Sequence, residues 1–169
     1  MKIEEITKWV GYLEHQSPSL LGVYTANPGK GGYTIFAEII RQRGGPNLQG
    51  VPWCTTFVHA LVNRADLLGR AHPGSKVLLR RMKRRGFFRD NSYRPIPGDL
   101  IFCGDFKQRR HVGIVVACDR STVISIDGNT VDRSGTFNED EGGAVAMRQR
   151  KIDDPIIYGY AAIGRLILE

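Results

Sequence analysis

The chain has 169 residues, 41% of them hydrophobic and 24% charged, with a net charge of +7 and an isoelectric point near 9.6. These values suit one soluble globular domain, and no apolar run approaches the roughly 20 residues needed to span a membrane. The excess of positive charge calls for an anionic partner, with nucleic acid, anionic lipid and acidic wall polymers all eligible.

The first residues, MKIEEITKWVGYLEHQ, alternate charge with apolar side chains and lack the basic head, apolar stretch and cleavage site of a signal peptide. The expectation is a protein made in the cytoplasm, or a mature fragment, that is released by lysis or by a dedicated export route. Within this segment Ile3, Ile6, Val10 and Leu13 recur at helical spacing, which predicts a helix over 2–14. Residues 15–34 are rich in Ser, Pro, Asn and Gly and read as a long loop. Helical spacing returns over 33–43 and stops at Gly44-Gly45-Pro46. A third helix is predicted over 53–69, with Phe57, Val58, Leu61, Val62 and Leu68 as its apolar stripe and Gly69 as its stop. A fourth, basic helix covers 76–86, with Val77, Leu78, Leu79 and Met82 on its inner side.

From Pro95 onward the pattern changes to short runs rich in β-branched residues, separated by turns: PIPGDLIFCGD, HVGIVVACD, STVISIDGNT, GGAVAMRQRK and IYGYAAIGRLI. Helices followed by strands predict an α+β fold, with N-terminal helices packed on a C-terminal antiparallel sheet. The absence of a repeat or a long linker makes residues 1–169 a single domain.

Three cysteines, an odd number without CxxC or other metal-site spacing, argue against structural zinc. Cys54 stands at the start of a predicted helix, where unpaired N–H groups and the helix dipole favour thiolate. Cys103 reads as core, and alternation along HVGIVVACD sets Cys118 on the face opposite His111. His59 rotates away from Cys54 and reads as packing, while His15 and His72 read as solvated loop residues. His111 opens an apolar strand, and the next strand carries Ser125, Asp127 and Asn129 on one face. If those strands pair, an acid or an amide stands beside the imidazole, completing a cysteine-hydrolase triad.

A helix-borne cysteine followed in order by PGDLIFCGD, HVGIVV and VISIDGNT resembles the CHAP domain, the cysteine- and histidine-dependent amidohydrolase/peptidase of bacterial and phage wall hydrolases. GYLE, TANPGKGGYT and GVPWCTTFV are similar to its phage and mobile-element lysin subgroup. The resemblance implies a papain-like fold and a peptidoglycan hydrolase, either an N-acetylmuramoyl-L-alanine amidase or a peptide endopeptidase. It implies Cys54 as nucleophile and His111 as general base. Asp127 stands where the family commonly has glutamate, and Asn129 matches the asparagine of the same motif. Trp53 is expected to wall the cleft or to sit in the core. Some relatives bind calcium ahead of the cysteine; RQRGGPNLQGVPW has no carboxylate there, so neither metal nor cofactor is expected.

The expected partner is peptidoglycan, met by a monomer, with Arg80, Arg81, Lys83, Arg84 and Arg85 drawing the protein to anionic wall polymers. Two rival readings remain. The basic helix 76–86, with Phe87 and Phe88 for stacking, could make a nucleic-acid or polyanion binding module. The same catalytic residues could also serve a papain-like toxin or protease acting on protein.

Overall fold

The computed structural model describes residues 1–17, 31–104, 111–130 and 142–168. Five helices precede the main strands: α1 (Ile3–Thr7), α2 (Ile35–Gln42), α3 (Cys54–Val62), α4 (Ala65–Leu68) and α5 (Ser75–Arg84). The strands are β1 (Phe88–Arg89), β2 (Leu100–Cys103), β3 (His111–Cys118), β4 (Thr122–Thr130), β5 (Ala144–Lys151) and β6 (Ile157–Ala161), and a short α6 (Gly164–Ile167) follows. They form an antiparallel sheet in the order β1-β6-β2-β3-β4-β5. The fold is α+β, helices on an antiparallel sheet, as expected. Among the described residues no helix is long and apolar enough to cross a membrane.

Several elements differ from expectation for local reasons. The helix predicted over 2–14 stops at Thr7, and Gly11 takes a left-handed φ of 93°. Beyond it the chain runs alongside β5, with Gly11 N–H donating to the Val145 carbonyl at 2.9 Å and Val145 N–H donating to that of Tyr12 at 2.8 Å. The helix predicted over 53–69 divides into α3 and α4 because Asn63 adopts φ 49° and caps the first. β1 and α6 were not predicted; two and four residues are too few to carry a periodicity. The loop predicted over 15–34 lies largely outside the described residues, although His15 bridges to Tyr33.

The sheet has two unequal faces. Leu100, Phe102, Val112, Ile114, Ile126 and Val145 meet the helices, where Phe36, Phe57, Leu78 and Met82 are buried. Burying each large side chain there contributes roughly 1.5–3 kcal/mol. Ile101, Cys103, Val115, Val123, Ile157 and Tyr160 form a smaller cluster on the opposite face. Cys118 packs on this smaller cluster too, because a bulge between Val115 and Ala117 breaks the alternation. The expected separation of Cys118 from the His111 face is thereby reversed.

The PGD segment proves to be a structural staple. Gly98 has φ 88°, and a Cβ there would lie 2.9 Å from Gly164 Cα. The fully buried Asp99 accepts hydrogen bonds from Tyr93 Oη at 3.1 Å, from Ile96 N–H at 3.0 Å and from Gly164 N–H at 2.7 Å. One carboxylate thus ties the entry of β2 to α6 and the preceding loop.

Candidate active site

Cys54 is the first residue of α3. The first intrahelical bond runs from Phe57 N–H to the Trp53 carbonyl, so the N–H groups of the opening turn have no helical acceptor. α3 packs against β3 and β4, and Gly128 permits the approach: a Cβ on it would fall 2.6 Å from Phe57 Cβ and 2.8 Å from Trp53 Cζ3. This packing brings the sulfur to the start of β3, where the His111 imidazole hydrogen-bonds it and Val112 N–H supports it. The Thr55 hydroxyl lies 3.8 Å from Sγ. Cys54 is 5% exposed and the His111 side chain 23%, so an incoming group meets the imidazole edge first.

Asp127 lies across the β3–β4 pair with its side chain fully buried, and its Oδ2 is 3.1 Å from His111 Nε2. This is a charge contact rather than a linear hydrogen bond, since no acceptor lies along the N–H direction of Nε2. Gly113 makes the space. A Cβ there would sit 1.9 Å from Asp127 Oδ1, so only glycine lets the carboxylate lie under the imidazole.

Two further side chains hold the acid. Ser125 Oγ donates to Asp127 Oδ1 at 2.6 Å, and Arg150 Nη2 donates to Oδ2 at 2.7 Å. Arg150 Nη1 also donates to Ser125 Oγ at 2.8 Å, closing a ring of three. Sequence reasoning saw Ser125 beside Asp127 but gave it no role, and it missed Arg150. The alternation of Ala146, Arg148 and Arg150 in β5 carried a signal, but only the register of β5 on β4 shows which arginine reaches the acid.

The charges reinforce one another. Burial pushes the Cys54 thiol up, yet the hydrogen bond and charge of His111, with Thr55 and Val112 N–H, bring it below its ordinary value. Burial pushes His111 down, but Asp127 and Cys54 outweigh this and raise it to about 10. Asp127, also pushed up by burial, is held well below the usual carboxylate range by His111, Arg150 and Ser125. The directions of all three shifts favour a thiolate, an imidazolium and a carboxylate in a row. By contrast, burial pushes Cys103 up to about 12 and also raises Cys118.

The expected consequence is selective alkylation. Iodoacetamide should label Cys54 well below neutral pH, with the rate falling in acid as the thiolate is protonated and Cys103 and Cys118 lagging throughout. Peptide mapping after short exposures at pH 5 checks this; equal labelling of all three cysteines would contradict the ion pair.

The remaining expected site residues fall elsewhere. Asn129 is half-buried at φ 55° in a bulge that shifts the β4–β5 register, so it leaves the alternation that Asp127 follows. Trp53 does not wall a cleft. It is fully buried, its ring stacks on Phe36 at a centroid distance of 5.7 Å, and its Nε1–H donates to Glu14 Oε2 at 2.6 Å. His15 is not solvated but fully buried, edge-on to Tyr12.

On the basic helix, Arg80, Lys83, Arg84 and Arg85 are exposed, but two arginines have structural duties. Arg81 donates to the carbonyls of Leu68 and Arg70, and Arg85 to that of Asp66. Lys83 lies over Phe88 and Tyr158, and Phe87 packs on the core, so neither phenylalanine is free for stacking.

Helices on an antiparallel sheet, with a helix-terminal cysteine against a strand-borne histidine, define a papain-like α+β protein. The sequence profile of the CHAP domain matches residues 46–129, and the chain belongs to that family. No curated protein matches the sequence. Among solved structures, the "Crystal structure of a wild type endolysin LysIME-EF1" is similar with a TM-score of 0.33 and 19% identity, over 61% of this chain and 61% of that one. The matched segment includes Cys54, His111, Asp127 and Asn129, but neither Glu14 nor Arg150.

Proposed function

We propose that this CHAP-family peptidoglycan hydrolase cleaves an amide bond of the wall by acyl transfer, with Cys54 as nucleophile, His111 as acid and base, and Asp127 as the orienting acid. The observation that carries this reading is the Cys54–His111–Asp127 row, braced by Ser125 and Arg150. The Cys54 thiolate attacks the carbonyl carbon, a C–S bond forms, and the carbonyl oxygen takes the negative charge. N–H groups of the opening turn of α3 are suited to stabilise that oxyanion. The His111 imidazolium gives its proton to the leaving nitrogen as the C–N bond breaks, leaving a thioester and a free amine. His111, now neutral, takes a proton from water; the hydroxide adds to the thioester and expels the thiolate as a carboxylic acid is released.

Asp127 fixes the imidazole's orientation and stabilises its positive charge. Asn129 is the alternative third member, as the family motif suggests. The catalytic unit is read as the whole of residues 1–169, acting as a monomer. The reading as one unit is supported by a contact between the first helix region and α6, where the Met1 ammonium donates to the Ile167 carbonyl at 2.9 Å. The exposed Arg80, Lys83 and Arg84 of α5 are suited to draw the protein to anionic wall polymers in a salt-sensitive way.

Mass spectrometry of material released from purified walls tests the reading. An amidase leaves free L-alanine amino termini and peptide-free glycan; an endopeptidase leaves new amino and carboxyl termini within the peptide. Either outcome is expected, whereas release of new reducing sugar ends alone would reject amide cleavage. A papain-like protease of protein substrates would instead leave the walls intact.

A further inference from the structure

At the far end of α3 from the nucleophile lies a second polar feature that the reaction does not use. A cavity of about 210 Å³ opens between the end of α2, the end of α3 and the α4 region, lined by Arg43, His59, Arg64 and Arg70 with no carboxylate among its lining residues. His59 is five residues beyond Cys54, roughly 140° around the helix and about 7–8 Å along its axis, so the cavity lies on another side of α3. His59 is only 7% exposed, and its Nε2 has no hydrogen-bond partner. A buried, unsatisfied ring nitrogen carries an uncompensated desolvation penalty, which a ligand oxygen would remove. Burial, with the positive charges of Arg81 and His72, pushes His59 down to about 4, so at neutral pH it is an uncharged imidazole.

The arginines are partly committed. Arg43 Nη1 donates to the Ala60 carbonyl at 2.8 Å, which fixes it against α3 and leaves its other N–H groups. Arg64 forks onto Asp66 and donates to the Leu166 carbonyl at 2.6 Å. Arg70 is exposed, and its backbone is held by Arg81. The frame is therefore braced from three directions while retaining net positive charge. One guanidinium fork satisfies the two coplanar oxygens of a carboxylate. With Arg64 held by Asp66, the remaining N–H groups of Arg43, the exposed Arg70 and the unpartnered ring nitrogen of His59 line the cavity from different elements and match an anion with oxygens on several sides, and the volume admits one such group with a few attached carbons.

We propose that this cavity is a second binding site, for a phosphate-ester group, distinct from the Cys54 site. If the chain acts on walls as read above, the group belongs to a phosphodiester of an anionic wall polymer; the site itself does not depend on that reading.

The test is a titration of the full chain with sodium phosphate and with glycerol 3-phosphate, at constant ionic strength, against chloride and acetate controls. The His59 and His111 ring resonances are followed by NMR, so a failure here leaves the wall reading to its own assay. Saturable shifts confined to His59 are expected with both phosphate probes, at least tenfold weaker in Arg70→Gln, an exposed position where the fold should be undisturbed. A second variant, His59→Gln, should lose at least as much phosphate affinity, read by calorimetry. Shifts that never saturate, that match those in chloride, or that persist unchanged in Arg70→Gln would overturn the site. Acetate binding as tight as phosphate would overturn the phosphate-ester assignment in favour of a carboxylate.

Discussion

Cys54→Ala is expected to reduce release of wall fragments by about 10⁴-fold or more, because removing the attacking atom leaves only binding and oxyanion stabilisation. The fold should survive, since a methyl group still fills most of a site that is 5% exposed. The variant should also change His111. In the native protein the imidazole is raised to about 10 after burial is outweighed by Asp127 and Cys54. A raised histidine contributes stability that is fully present below its unfolded value near 6.5 and is lost as pH rises through about 10. Without the thiolate the folded value drops, so the loss should still begin near the unfolded value but be complete at lower pH and smaller in total, visible both in the His111 titration and in Tm measured across the alkaline range. Cys103→Ala and Cys118→Ala should retain turnover. Near-native release by Cys54→Ala on purified walls would remove the nucleophile assignment.

The second large effect is expected at a residue with no side chain. Gly113→Ala drives a methyl group to within 1.9 Å of Asp127 Oδ1, in a place where Arg150 and Ser125 hold the carboxylate from the other side. The acid must leave the imidazole or the strands must part. We expect turnover to fall by about 10²- to 10³-fold and stability by about 1–3 kcal/mol, the usual cost of overpacking. Asp127→Ala should cost less stability in the Gly113→Ala background than in the native protein, because the overlap disappears with the carboxylate, and turnover should stay low. That non-additive pair separates loss of the acid from general damage to the sheet. A Gly113→Ala enzyme with native turnover and native Tm would show that the glycine is not what admits the carboxylate.

How far this site could be read from the sequence depends on the range of the interactions. Cys54 at a helix start, and His111 with Asp127 on successive strands, follow from local periodicity and from the short turn that joins β3 to β4. The sequence cannot announce a bulge before the strands are paired, so alternation alone sets Cys118 on the wrong face and keeps Asn129 in line with Asp127. Arg150 depends on the register of a strand that arrives after an intervening segment, which alternation alone leaves unspecified. Trp53 stays open between cleft wall and core, and His15 is misread, for a different reason. Aromatic rings suit cleft walls and cores equally, and only Glu14, brought alongside by the extended run after Gly11, decides that the indole is buried.

That indole contact bears on how portable the catalytic residues are. Cutting the chain back to the matched span, 46–129, would keep every atom proposed to react. It would also strip Trp53 of both its carboxylate acceptor and the ring stacked on it, and strip Asp127 of its guanidinium. The residue immediately before the nucleophile would then carry a buried donor with nothing to receive its proton, a cost of about 1–3 kcal/mol at the hinge where the thiol is aimed. A chimaera built from this protein should therefore carry over everything from the first helix to the end of β5.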